Sequence, residues 1–251
     1  MEKLKNIIDL FYVACKVVDY GLRVIDSKTE GAIPKNHEMA REYYQAILDH
    51  LNITVEVESN NLENLINPPA IIIGNHTTHF DILTLAVSLG KHPVIFMAKK
   101  SLFKYPFLRK GMRELGMIKR DRSHLKETMR NLEKGVYKAK SDKHYLVMYP
   151  EGTRTTLENY DMLPFDRGPF FTSVKYGLPI ILVASHGGQE ILPRNTSETK
   201  PGTMRLKILE PMYPKEYSGT KKEKINQMME VARSRLTQGI DSLRPPKKQT
   251  S

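Results

Sequence analysis

Hydrophobic and polar positions follow one rhythm over the first fifty residues of this chain and another after them. From Leu4 onward apolar residues recur at helical spacing, at Leu4, Ile7, Ile8, Phe11, Cys15, Val18, Leu22 and Ile25. Lys5, Asp9, Lys16, Asp19 and Arg23 fall largely on the opposite side. The pattern predicts an amphipathic helix of about six turns. "GAIPKN" breaks it, and a second helix follows, with Pro34 near its start and a stripe of Met39, Tyr43, Ile47 and Leu51. Residues 1–52 therefore read as a helical hairpin standing before the main domain. Its apolar faces either pack on that domain or lie on a membrane surface, where basic residues beside Phe11 and Tyr12 suit anionic lipid.

From about Ile53 the rhythm becomes that of alternating strands and helices. "ITVEV" alternates as a half-buried strand does, and "AIIIG", "VIFMA", "YLVMY" and "LPIILVA" are short apolar runs bounded by turn signals, as in buried strands. "MRLKIL" reads as a later strand. Helices are predicted from Ile82 to Leu89, from Leu125 to Lys138 (Leu125, Met129, Leu132 and Val136 on one side) and from Ile225 to Leu243. Residues 53–244 thus form an α/β domain, a mixed, mostly parallel sheet flanked by helices. The end, 245–251, "RPPKKQTS" with its leading arginine, reads as a disordered tail.

Composition narrows the setting. The 251 residues are 40% hydrophobic and 27% charged, which is globular, and a chain of this length buries about 70–75% of its unfolded surface without staples. The net charge of +11 favours an anionic partner: nucleic acid, an anionic membrane or a phosphorylated substrate. There is no Trp, no zinc-finger spacing and no basic tract interleaved with aromatics, so nothing beyond charge supports nucleic acid. The single cysteine, Cys15, excludes an intrachain disulfide. Charges interrupt the first apolar segment, which does not read as a signal peptide, and no apolar run approaches the ~20 residues of a spanning helix.

Three motif-like stretches follow predicted strands: "NHTTHFD" after "AIIIG", "RDR" after "LGMIK" and "PEGTRT" after "YLVMY". Sites in α/β folds gather beyond the carboxyl ends of strands, so the three belong to one site. The first admits several readings. His76, His79 and Asp81 offer ligand types for zinc, although H-x-x-H alone carries little. Thr78-x-x-Asp81 is a capping-box pattern that would leave His76 a mere loop residue. Alternatively His76 is a general base. On one continuous helix His76 and Asp81 would sit roughly 140° apart, but a helix starting near Thr78 lets His76 fold back so that Asp81 accepts from one ring nitrogen. No G-x-S-x-G elbow is present and Cys15 lies in the hairpin, so such a base would activate a substrate hydroxyl rather than a nucleophile of the protein.

At these residues the chain resembles the glycerolipid acyltransferases, the group containing 1-acylglycerol-3-phosphate acyltransferase. "NHTTHFD" matches their His-x-x-x-x-Asp motif and "YPEGTRT" their F-P-E-G-T-R-S signature. "GMIKRDR" resembles the block whose arginine binds the acceptor phosphate, and "LPIILV" a later proline-containing block. The four occur in family order over roughly Pro69 to Val183. Thr78, His79, Arg109 and Leu182 depart from the usual pattern.

The resemblance implies an enzyme of phospholipid biosynthesis in which His76 is the base and Asp81 orients it. Arg120, Arg154 and Lys100 would bind the acceptor phosphate, and Glu151, Gly152 and Thr153 would shape the pocket. Free amides near Thr78 would serve the oxyanion. The acyl group would pass from acyl-CoA or acyl carrier protein, as co-substrate, to lysophosphatidic acid, with no further cofactor and no metal. The enzyme would act as a monomer, peripheral on the cytoplasmic face of an anionic membrane. Glycerol-3-phosphate or another lysophospholipid is the neighbouring choice of acceptor. A metal-dependent hydrolase using His76, His79 and Asp81, and a basic binding protein, are the rivals of other classes.

Overall fold

In the computed structural model, which describes residues 2–58, 66–155 and 161–245, two helices precede a seven-stranded sheet. Helix α1 (Glu2–Arg23) and helix α2 (Ala32–His50) form an antiparallel hairpin. Asp9 meets His50 at 3.1 Å, the Tyr12 ring stacks on His50, and Asn36 exchanges two hydrogen bonds with the backbone of Ile25 where the chain turns. Ile25 lies beyond the helix rather than on its stripe.

The strands are β1 (Ile53–Glu58), β2 (Ala70–Gly74), β3 (Val94–Lys99), β4 (Ile118–Arg120), β5 (Tyr145–Met148), β6 (Ile180–His186) and β7 (Gly202–Met212). Their order is β1-β7-β6-β2-β5-β3-β4, all pairs parallel except β6 with β7. The mixed, mostly parallel α/β sheet expected from the pattern is therefore the one observed. The runs without alternation lie in the middle because both faces are covered. On β2, Ile71 and Ile73 face one layer and Ala70 and Ile72 the other, and all four are fully buried. Burying one such isoleucine contributes about 1.5–3 kcal/mol.

The first layer holds α5 (Leu125–Asp142), α6 (Gly168–Tyr176) and α8 (Lys221–Leu243), through residues such as Val136, Phe170 and Leu236. The second holds α3 (Phe80–Ser88), with α2 beside it through Ile47 and Leu48. A short helix, α4 (Pro106–Glu114), crosses α1 closely at two glycines. A Cβ on Gly21 would lie 2.8 Å from Phe107, and one on Gly111 2.7 Å from the Tyr20 ring. A four-residue helix, α7 (Gly188–Ile191), follows β6.

Several expectations change. Helices α4 and α6 were not foreseen: each is nine residues long, α4 buries only Gly111 and Met112, and so neither shows a full apolar stripe. Leu125, read as part of the buried side of α5, is 69% exposed, because the first turn of α5 overhangs the sheet and burial begins at Thr128. On α1 the side that packs carries Tyr12, Val13, Tyr20 and Gly21, while the apolar row Ile7, Phe11, Val18 and Leu22 faces outward. Among the described residues no helix is long and apolar enough to cross a membrane. The predicted tail lies outside the described residues from 246 on.

Candidate active site

Strands β2 and β5 end side by side, and β6 runs on beyond them. Ile73 of β2 lies opposite Met148 of β5, and Gly74 opposite Val183 of β6. The loop after β2 is then tied to β6 by Asn75, whose side chain accepts from the Ser185 N–H and donates to the Ser185 carbonyl, both at 2.8 Å. This pair continues the ladder beyond the last strand residue and fixes where the next residue, His76, emerges.

His76 precedes α3, as the fold-back geometry required. Its Nδ1 lies 2.8 Å from Asp81 Oδ2, and only 16% of its side chain is exposed. A carboxylate can only accept, so Nδ1 carries the proton and Nε2 is the acceptor, the form a base requires. Asp81 is 2% exposed and well satisfied: it also takes the Thr77 and Thr78 N–H groups at 2.7 and 2.9 Å and the Thr77 hydroxyl at 3.1 Å. Half of the expected capping box is formed, since Asp81 reaches back to the Thr78 N–H while Thr78 Oγ1 accepts from Phe80, at 3.4 Å, rather than from Asp81. One carboxylate thus both caps the helix and holds the imidazole. The Tyr149 ring stacks on His76 with centroids 4.4 Å apart. Burial, and then the Asp81 charge, pushes the Tyr149 hydroxyl pKa well up, so it stays neutral.

Those same bonds occupy three of the amides near Thr78. The Thr77, Thr78 and Phe80 N–H groups are all engaged, because the Asp81 carboxylate and the Thr78 hydroxyl cover the helix start. Nor do His76, His79 and Asp81 form a ligand trio. Asp81 is committed to His76 and the backbone, His79 is exposed, and among the described residues no three His, Cys, Asp or Glu side chains are grouped for a metal.

The turn after β5 closes on this dyad. Buried Glu151 accepts the His76 N–H through Oε1 and the Leu163 N–H through Oε2, both at 2.8 Å. The Thr155 N–H donates to the His76 carbonyl at 2.8 Å. Burial raises the Glu151 pKa while the two N–H donors oppose it. Gly152 takes a φ of +66°, and a Cβ there would lie 2.6 Å from Arg122 and 2.7 Å from Arg120, so glycine admits both guanidiniums to the turn. Thr153, half-buried, follows in the same turn.

The structure separates the three candidate cations into two kinds. Arg120 is ion-paired with Asp166. Lys100 lies 2.6 Å from Asp121, whose carboxyl pKa it depresses far below the usual range. Arg154, in contrast, donates from Nη2 to the Arg194 carbonyl at 3.1 Å and leaves Nη1 buried without a hydrogen-bond partner among the described residues. Burial, and next the Arg194 charge, lowers its pKa, while Asp81 works the other way. Desolvation, followed by the Arg154 and His76 charges, also lowers the pKa of His79. The sequence reading missed Asn75, Tyr149, Asp166 and Arg194. Ser185 is 110 positions from Asn75, and nothing local signals such a pairing.

Residues 56–186, which span all three motif loops, match the Acyltransferase family. The chain belongs to that family. It is 31% identical over 205 residues to the 1-acyl-sn-glycerol-3-phosphate acyltransferase of Saccharomyces cerevisiae, covering 82% of this chain and 65% of that one. It is 27% identical over 174 residues to the Escherichia coli protein of the same name, covering 69% and 68%. This acyltransferase-family chain thus spans about two thirds of the length of such relatives. Its fold matches the crystal structure of the 1-acyl-sn-glycerophosphate (LPA) acyltransferase PlsC from Thermotoga maritima, with a TM-score of 0.75 and 24% identity over 98% of this chain and 100% of that one.

Proposed function

We propose that this chain transfers a fatty acyl group from a thioester of coenzyme A or acyl carrier protein to the free hydroxyl of lysophosphatidic acid. The observation that carries the reading is the His76 Nδ1 to Asp81 contact at 2.8 Å, held by Glu151, in a chain of the acyltransferase family. Nε2 of His76 takes the hydroxyl proton as that oxygen attacks the thioester carbonyl. The tetrahedral intermediate collapses with loss of the C–S bond. The leaving thiolate recovers the proton from the imidazolium, so the products are an ester and a free thiol. Asp81 fixes the tautomer and stabilises the imidazolium, and Glu151, Gly152 and Thr153 shape the wall opposite.

The acceptor is a lipid, and the outward row of α1 supports docking on a bilayer. Phe11 is 69% exposed and Leu22 64%, and Leu102, Tyr105 and Phe107 extend the apolar surface beside α1. Lys104, Arg109, Lys110 and Arg113 lie in the same segment, each worth roughly 1 kcal/mol against an anionic leaflet when close to it. In this reading the protein sits on the membrane surface and the lipid enters from its plane.

The test is acyl transfer by the purified chain, with acyl-CoA and acyl carrier protein donors and with lysophosphatidic acid, glycerol-3-phosphate and other lysophospholipids as acceptors. His76→Ala should lower kcat by about 10²–10⁴-fold with an unchanged Tm. Full turnover by that variant, or no transfer by the unaltered chain with any pair, refutes the reading.

A further inference from the structure

We propose that Arg233, on α8, is a positioning residue of the active site: it grips the peptide between Met162 and Leu163, through which Glu151 holds the backbone of His76. The proposal rests on the acyltransferase reading and adds to it a residue beyond the family-matched 56–186.

One peptide unit joins the arginine to the glutamate. Its carbonyl, that of Met162, accepts from Arg233 Nη2, and its N–H, that of Leu163, donates to Glu151 Oε2 at 2.8 Å. The carbonyl and N–H of a trans peptide point in opposite directions, so a guanidinium and a carboxylate hold the same plane from opposite edges. The peptide dipole, ~3.5 D, turns its negative end to the cation and its positive end to the anion. Each hydrogen bond polarises the peptide and strengthens the other. Arg233 also donates from Nη1 to the Leu163 carbonyl at 2.9 Å. Its planar fork therefore spans successive carbonyls and fixes the rotation of the chain between them.

Beyond Glu151 the same line reaches the base. Glu151 Oε1 accepts the His76 N–H at 2.8 Å. Thr155 grips the other side of His76: its N–H donates to the His76 carbonyl at 2.8 Å and its hydroxyl to the Asp161 carbonyl at 2.9 Å. The main chain of His76 is thus held on both sides by residues that are themselves tied to 161–163. Met162 is buried in the core layer that contains α8, and the exposed Arg233 guanidinium lies over the Phe165 ring, 5.5 Å from its centroid. Burial of Met162 locates the segment without direction, whereas hydrogen bonds to carbonyls are directional and orient it. Orientation matters because displacing a catalytic group by about 1 Å can cost on the order of 10²-fold in rate.

The Glu151 carboxyl reports on this grip. Burial raises its pKa, the His76 and Leu163 N–H groups lower it, and of the charges facing it the His76 ring lowers and Asp81 raises it. When the Met162–Leu163 peptide turns away, the Leu163 donor is lost and the carboxyl pKa rises further.

The experiment compares the unaltered chain with Arg233→Met, which keeps an unbranched stem over Phe165 and removes every donor, with Arg233→Lys, and with the exposed neighbour Arg235→Met. The readouts are steady-state acyl transfer to lysophosphatidic acid from acyl-CoA and acyl carrier protein donors, and a carboxyl carbon NMR titration of Glu151, its signal identified by its loss in Glu151→Gln. Arg233→Met should lower kcat about 3–10-fold while both KM values stay within about twofold. It should also raise the Glu151 midpoint by about half a pH unit or more. Arg233→Lys, whose single ammonium reaches one carbonyl at a time, should show smaller changes of the same sign, and it carries the comparison should Arg233→Met not fold. Arg235→Met should match the unaltered chain. An unchanged kcat, an unmoved Glu151 midpoint, or equal changes in Arg235→Met overturns the proposal. Should the unaltered chain transfer no acyl group with either donor, the acyltransferase reading fails by itself. The Glu151 midpoint then decides alone: a rise in Arg233→Met supports the grip, and no rise overturns it.

Discussion

Asp81 carries more of the site than any other residue, because four hydrogen bonds converge on its carboxylate. Asparagine in its place offers one acceptor oxygen, which the Thr77 and Thr78 N–H groups would take. That oxygen takes the Oδ2 place, where Nδ1 meets it too, so the tautomer survives, but the neutral amide no longer stabilises the imidazolium. Asp81→Asn should therefore lower kcat by about 10²–10⁴-fold with little change in acceptor KM. A variant that keeps most of its kcat would show that the Asp81 charge does not support the base. Glu151 shows the same economy of acceptors. Glu151→Gln leaves either His76 N–H or Leu163 N–H unpaired, so urea denaturation should find a loss of about 1–3 kcal/mol. The sequence displayed both carboxylates in their motifs. It could not display the bond from Arg154 to the Arg194 carbonyl, because partners forty positions apart are known only once the chain is folded.

Helix α1 shows how an element can be foreseen while its orientation is not. Its apolar row was evident from spacing alone. Which side would pack was decided by α2 and α4, which take Tyr12, Val13, Tyr20 and Gly21 and leave Phe11 and Leu22 outside. An outward apolar row of this kind suits an interface rather than open water. Phe11→Glu should reduce sedimentation with vesicles of equal phosphatidylglycerol and phosphatidylcholine several-fold, while turnover of a dispersed short-chain acceptor persists. Undiminished binding to such vesicles would remove α1 from the docking surface. Helices α4 and α6 were not legible for the converse reason: nine residues carry too few apolar positions to reveal a period.

On the scale of the whole molecule, the fold bears an acid-sensitive joint between hairpin and sheet. His37 of α2 and His144, just before β5, lie with ring centroids 5.1 Å apart, 6% and 1% exposed. Burial first, then the charge of His144, pushes His37 down to about 3, and burial pushes His144 down to about 4. Unfolded histidine binds its proton near pH 6.5. Between that pH and about 4 the unfolded chain therefore takes up protons that the fold refuses. Stability is fully present above pH 6.5 and falls as the pH drops, by up to about 1.4 kcal/mol per pH unit for each histidine. His37→Phe should make the fall between pH 6.5 and 4.5 shallower by roughly 1 kcal/mol per unit in urea denaturation. An identical slope would place the acid sensitivity elsewhere.

The sequence by itself determined what depends on near neighbours in the chain: the buried runs of β2, β5 and β6, the alternation of β1 and a helix start that puts His76 within reach of Asp81 five positions on. These follow from the strand period, the helical period and the reach of one side chain. Only the tertiary structure decided the strand order, the antiparallel β6–β7 pair, the outward row of α1 and which cations meet a carboxylate. Each of those depends on residues far apart in the chain, whose meeting is set by how the layers pack and is written in no local pattern.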